Sequence, residues 1–161
     1  MPELPEVETT MRGIEPWLAG QEIRQVIVRE PRLRWPVPAA VQEACGQKVR
    51  HISRRAKYII MELPSGNLLL HLGMSGSIRV LTEAQDAEKH DHLDIVTPKA
   101  VIRLNDPRRF GAFLWAEHPV DEHPLLASLG PEPLSDDFNG PYLHRLSRGR
   151  KLAVKNFIMD G

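Results

Sequence analysis

Between residues 23 and 115 the chain runs as eight short apolar segments separated by turn-rich text, and this rhythm constrains the fold more than any other feature. The segments fall at 23–29, 49–53, 58–63, 67–72, 77–81, 93–97, 101–104 and 112–115. None is long enough for a helix of ordinary length, and β-branched residues are frequent in them, which is the pattern of strands. Pro64-Ser65-Gly66 between the third and fourth segments reads as a hairpin turn. Strands this short and this numerous bury their apolar faces by packing sheet on sheet. The expected fold is therefore mainly β with flanking helices (α+β), a sandwich of two antiparallel sheets.

Helical signals lie outside that region. Leu4, Val7, Met11, Ile14 and Leu18 recur at spacings of three and four, the apolar stripe of an amphipathic helix. Pro5 suits a first turn, Glu6 and Glu8 complement the positive helix end, and Gly20 provides a stop. Pro16 is expected to kink or break the last turn. A short helix is expected near 39–45, ending at Gly46, with weaker helical patterns at 124–129 and 140–146.

With 161 residues and 42% hydrophobic content, the chain supports one good core. Neither a signal peptide nor an apolar run of membrane-spanning length is present, so a soluble cytoplasmic protein is expected. Cys45 is the single cysteine, which excludes an internal disulfide and a multi-cysteine zinc site. Seven histidines show no metal-binding spacing; His90-Asp91-His92 needs further ligands and is expected to be solvated or hydrogen-bonded. Net charge is zero, yet its distribution is uneven. Arg54, Arg55 and Lys57 cluster, as do Arg108 and Arg109, and residues 143–155 carry five basic side chains and no acidic one. Acids collect at 83–94 and 117–137. Segregation of this kind suits a phosphate-facing side opposite a solvent-facing one, although ordinary surface solvation produces the same text.

The start of the chain carries the sharpest chemistry. A small residue at Pro2 favours removal of the initiator Met1, leaving a secondary α-amine. An α-amino group has a pKa near 8, against about 10.4 for lysine, so roughly a tenth of such amines are neutral at pH 7. Attack of a secondary amine on a sugar or carbonyl carbon yields an iminium that is cationic without a proton. Glu3 stands beside it as an acid or base, and a helix N-terminus just downstream favours an approaching phosphate. An acidic, frayed terminus is the ordinary alternative.

Two loops add to this. His71-Leu72-Gly73-Met74-Ser75-Gly76 holds a methionine between glycines that permit close approach to a partner, and Asn105-Asp106-Pro107-Arg108-Arg109-Phe110-Gly111 presents two guanidinium groups and a ring. Such side chains on rigid loops can enter a base stack and fill the space of an extruded nucleotide. Taken singly, Met74 and Phe110 also fit as core filler and the arginine pair as solvated surface.

Together these segments resemble the bacterial formamidopyrimidine-DNA glycosylases, which excise oxidised purines such as 8-oxoguanine. The matching stretches are PELPEVET, RLRWPV, RRAKY, HLGMSGS, EKHDH, DPRRFGA and LGPEPLSDDFN, in family order across essentially the whole chain. Leu4 in PELPE favours the purine-directed branch over the endonuclease VIII branch, which typically begins PEGPE. The resemblance implies Pro2 as the nucleophile forming a Schiff base, Glu3 as the acid protonating the opening sugar, and Lys57 as an acid and phosphate contact in β-elimination. It implies Met74, Arg108 and Phe110 as void-filling residues, with Arg108 facing the orphaned cytosine. His90, Arg108, Arg150 and Lys155 are implied as DNA contacts.

The resemblance further implies a β-sandwich catalytic domain over 1–135 and a basic helical linker over 136–161. The family continues into a helix–two-turn–helix domain and a four-cysteine zinc finger that are not in this text, so the chain is expected to be a fragment or truncated form. No metal or cofactor is therefore expected here, since the family's zinc lies in the absent region. The expected partner is damaged double-stranded DNA, met by a monomer in the cytoplasm at the nucleoid, with no membrane. The expected activity is glycosylase with AP lyase, the alternative being a non-catalytic DNA-binding remnant. Intact-mass measurement of the purified chain should show Met1 removed; a retained methionine would block the amine.

Overall fold

The computed structural model describes residues 2–129. Helix α1 (Leu4–Leu18) is followed by strand β1 (Gln25–Val28), a 3-10 turn at Ala39–Ala44, and strands β2 (His51–Arg55), β3 (Tyr58–Leu63), β4 (Gly66–His71) and β5 (Ser77–Leu81). Strands β6 (Asp91–Val96), β7 (Val101–Asn105) and β8 (Ala112–Ala116) complete the sheets, and a short helix α2 (Pro124–Ala127) follows. One sheet has the order β1-β6-β7-β5 and the other β2-β3-β4-β8, with every neighbouring pair antiparallel. This is the expected two-sheet sandwich. No helix among the described residues is long and apolar enough to cross a membrane.

The core lies between the sheets. Ile59, Met61, Leu68, Leu70 and Phe113 from the second sheet meet Leu93, Ile95, Ile102 and Leu104 from the first, and α1 adds Val7, Ile14 and Leu18. A second cluster covers the other face of the second sheet, where Tyr58, Ile60, Leu69 and Leu114 pack with Leu126 of α2. Strands β4 and β8 are buried on both faces, which explains the apolar runs at 68–70 and 113–115.

Several boundaries differ from the sequence expectation for identifiable reasons. Ile23 is buried but outside β1, because its N–H donates to the Gln47 carbonyl at 2.8 Å instead of to β6. Val49 likewise bonds to Gln21 at 2.9 Å, so β2 begins two residues later than expected. The 39–45 segment is a 3-10 turn, not an α-helix. Pro16 does not break α1, which runs through it to Leu18. A proline so near the end removes one backbone bond, and the buried Ile14 and Leu18 side chains hold the last turn in place. Gly66 is required less by the turn than by packing: a Cβ there would lie 2.3 Å from the Trp115 ring.

The acidic segment 83–94 is not simply a solvent face. Asp94 is buried and takes a two-pronged bond from the equally buried Arg103, at 2.9 and 3.1 Å. Arg103 also donates to the carbonyls of Gln85 and Asp86, clamping the 82–90 loop to the sheet. Asp91 accepts from Arg79 at 2.7 Å, from Asn105 at 2.9 Å and from the Glu88 N–H at 2.8 Å. Burial would raise the Asp91 pKa, but those donors outweigh it and hold the carboxyl at about 2. Asp94 is lowered too, its burial outweighed by Arg103 and Arg29.

A depressed folded-state pKa contributes stability above the unfolded value, and that contribution disappears as pH falls through the folded one. For Asp91 the window runs from about 4 down to about 2, with a stake on the order of 2 kcal/mol. Urea unfolding should therefore show stability falling between pH 4 and 2. In Asp91→Asn that part of the acid loss should be absent.

Candidate active site and nucleic-acid interface

Glu3 is the N-cap of α1, with extended backbone, and its carbonyl accepts from the Val7 N–H at 3.0 Å. Its carboxylate makes no capping bond and instead lies 3.8 Å from the Lys57 ammonium. Pro2 immediately precedes it at the positive end of the helix. Three of the residues singled out in the sequence therefore converge, two adjacent in the chain and the third brought from more than fifty residues away.

Lys57 reaches this position through a two-residue hairpin. Arg55 pairs with Tyr58 across β2 and β3, leaving Ala56-Lys57 as the turn. Ala56 sits at φ 52, a left-handed conformation that a first turn residue needs in a type II′ hairpin and that usually selects glycine. Arg54 offsets this cost by donating to the Ala56 carbonyl at 2.7 Å and to the Glu8 carboxylate at 3.1 Å, tying the turn to α1. Burial would raise the Glu8 pKa, but hydrogen bonds from Arg54 and Arg12 hold it below the usual carboxylate range. The Lys57 side chain is 1% exposed, and its ammonium has no hydrogen-bond partner among the described residues. A buried ammonium with only a distant carboxylate is costly, and groups in that condition concentrate where a substrate completes the site.

The two loops lie at the same end of the second sheet as this turn. Tyr58 pairs with His71 and His71 with Ala112, so the start of β3, the end of β4 and the start of β8 are level. The loops also touch each other. At Gly73, φ +62, a Cβ would lie 2.4 Å from the Gly111 nitrogen and the Phe110 carbonyl carbon. The glycine thus serves the approach of one loop to the other. Met74 and Phe110 are 40% and 43% exposed and are not core filler. Arg108 places its guanidinium over the Phe110 ring at 5.2 Å, whereas Arg109 is 3.8 Å from Glu30.

His90 has φ 72 and is half-buried, its ring edge-on to His92 at 6.0 Å. His92 is buried and bonds through Nε2 to the Asp106 carbonyl at 2.7 Å. Asp91 and His92 are accordingly hydrogen-bonded structural residues. No group of three or more metal-ligating side chains occurs among the described residues, and a chain with one cysteine cannot build a four-cysteine zinc site. Arg150, Lys155, the 140–146 helical pattern and the expected boundary at 135 lie outside the described residues.

Three further participants stood in the quoted stretches without a role assigned to them. His71 is buried, accepts the Gly73 N–H at 2.8 Å and packs edge-on to Tyr58 at 4.9 Å. Arg34 donates its N–H to the Gly111 carbonyl at 3.0 Å and stacks over Trp35 at 4.8 Å. Asp106, fully buried, receives bonds from both loops. His71 opens the HLGMSGS stretch, Arg34 lies in RLRWPV and Asp106 opens DPRRFGA, but their partners are distant in sequence and no spacing reports them.

Residues 1–113 match the family model for the formamidopyrimidine-DNA glycosylase N-terminal domain. The chain belongs to the formamidopyrimidine-DNA glycosylase family. Formamidopyrimidine-DNA glycosylase of Magnetococcus marinus is 56% identical over 165 residues, covering 99% of this chain and 60% of the relative. A Lactococcus lactis formamidopyrimidine-DNA glycosylase in complex with FAPY-dG containing DNA superposes with a TM-score of 0.81 at 30% identity, covering 99% of this chain and 63% of that one. The Thermus thermophilus enzyme superposes with a TM-score of 0.77 at 33% identity, over 98% and 58% of the two chains. The chain thus spans about 60% of the length of the curated relatives it matches.

If the Lys57 ammonium is kept for function at the expense of stability, Lys57→Met should stabilise the fold by about 1–3 kcal/mol while keeping its volume. Urea unfolding of the two proteins at neutral pH checks this; a destabilised variant would show that Lys57 holds the turn together instead.

Proposed function

We propose that the chain carries the catalytic half of a base-excision repair enzyme, a DNA glycosylase and AP lyase acting on oxidised purines such as 8-oxoguanine and formamidopyrimidines. The observation that carries this reading is the buried Lys57 ammonium, without a hydrogen-bond partner among the described residues, facing the Glu3 carboxylate beside Pro2. An amine nucleophile, an acid and a cation gathered at a helix N-terminus suit attack on a nucleotide flanked by phosphates.

On this reading, Met1 is absent and the neutral Pro2 nitrogen attacks C1′ of the damaged nucleotide. The bond from C1′ to the base breaks and the base leaves with a proton. Glu3 protonates the ring oxygen as the sugar opens, and the Pro2 nitrogen becomes the iminium of a Schiff base. The iminium then accepts the electron pair released when a proton leaves C2′, and the 3′ phosphate departs in β-elimination. Lys57 holds a phosphate and supplies a proton in that step. Met74, Arg108 and Phe110 fill the space left by the flipped nucleotide, Arg108 facing the orphaned cytosine. His90, Arg108, Arg150 and Lys155 hold the DNA backbone. The exposure of Met74 and Phe110 on loops braced by backbone contacts supports that assignment. The partner is damaged duplex DNA, bound by a monomer in the bacterial cytoplasm.

A second reading, a DNA-binding segment with little activity of its own, draws on the 60% share of the curated relatives that the chain spans. Fewer phosphate contacts mean lower affinity and a shallower salt dependence. Incubation with an 8-oxoguanine duplex and borohydride at low salt should trap a covalent adduct. The adduct should vanish in Pro2→Gly and in N-terminally tagged protein, and Glu3→Gln should slow its formation by roughly 10²–10⁴-fold. Binding without trapping would favour the second reading, and neither would overturn both.

A further inference from the structure

We propose that Asp106 is the positioning residue that joins the Met74 loop, the Arg108–Phe110 loop and the His90 turn into one rigid unit, so that DNA meets them in fixed relation. The proposal rests on the function proposed above and extends it to a residue that does not touch the substrate.

Every polar group of Asp106 is committed to one of these elements. Its carboxylate accepts the Ser75 hydroxyl at 2.7 Å on one oxygen and the Gly111 N–H at 2.8 Å on the other. Ser75 in turn accepts the Arg108 N–H at 3.0 Å, so the methionine loop and the arginine loop share one hydroxyl. The Asp106 N–H donates to the His90 carbonyl at 3.0 Å. Its carbonyl accepts His92 Nε2 at 2.7 Å and the Arg109 N–H at 3.2 Å. The residue is 0% exposed, where each missing bond would leave a desolvated group unpaired.

Two observations argue that this wiring serves more than general stability. His90 and Arg109 both hold left-handed backbone, at φ 72 and φ 57, and Asp106 binds the backbone of each. Such conformations persist in non-glycine residues only when the surroundings over-determine them. The hub also ends in the apolar side chains of Met74 and Phe110, which the core does not bury. An intercalating wedge must resist the restoring force of a base stack, and a loose loop would yield to it.

The test uses Asp106→Ala in the 161-residue chain, with two readouts. Amide exchange should rise roughly ten- to hundred-fold at Arg108, Arg109 and Gly111 while amides of β3 and β4 keep their protection. Borohydride trapping on an abasic-site duplex should fall at least about ten-fold, while trapping on a single-stranded abasic oligonucleotide, which has no stack to open, stays within about two-fold. Asp106→Asn, which keeps one acceptor, should lie between the two proteins in both readouts. Unchanged exchange at Gly111 and Arg108, or equal losses on duplex and single strand with the sheets still protected, would overturn the proposal. If Asp106→Ala loses sheet protection as well, Ser75→Ala serves instead: exchange should rise at Arg108 and not at Gly111, and a rise at neither would overturn the proposal. If the unmodified chain traps nothing on either substrate, the proposed function fails, and the exchange measurements still decide whether Asp106 joins the loops.

Discussion

The arrangement of the candidate site depends on the guanidinium of Arg54. Its side chain is 5% exposed and lies between α1 and the β2–β3 turn, bonding Glu8 on one side and the Ala56 carbonyl on the other. Glu3, the N-cap, is five residues before Glu8 at the same end of the helix, and Lys57 is the residue after Ala56. A single cation therefore relates the helix end to the lysine it faces. Buried ion pairs add little net stability, because desolvation consumes most of the attraction, yet removing one partner costs about 3–5 kcal/mol. What such a pair provides is a unique relative placement, which a layer of apolar side chains between helix and sheet specifies less sharply.

The same end of the second sheet carries both kinds of chemistry the family reading requires. Level pairing of Tyr58, His71 and Ala112 brings the lysine turn, the methionine loop and the arginine loop to one edge, although they are spread over more than fifty residues of chain. Burial of β4 and β8 on both faces makes that edge a firm base. On it the loops support each other through Gly73 and Asp106, leaving Met74, Arg108 and Phe110 projecting. Local stiffness below and exposure above is the combination a wedge into stacked bases needs.

Much of the fold was legible because its strands are short, apolar and punctuated. Residues 58–63 and 77–81 are strands to the residue, and the α1 stripe places Val7, Ile14 and Leu18 in the core. Ile23 and Val49 were harder: both are apolar and extended, but their backbone partners lie in loops, and periodicity does not report partners. Pro16 misled because a local rule about helix interiors was outweighed by burial of the turn it occupies. The acidic text at 83–94 suggested a wet surface, whereas Asp91 and Asp94 are buried against arginines from other strands.

The amino-acid sequence by itself determined the two-sheet class, the amphipathic first helix and, through its motifs, the family. Each of these is written in neighbouring residues or in a period along the chain. Only the tertiary structure decided that Lys57 is buried against Glu3, that Met74 and Phe110 are exposed, and that Gly73 serves the other loop. It alone decided that Asp106 joins three elements. The physical reason is common to all of them. Burial and hydrogen-bond satisfaction are properties of pairs distant in sequence, and a chain acquires them only when its sheets fix which distant residues meet.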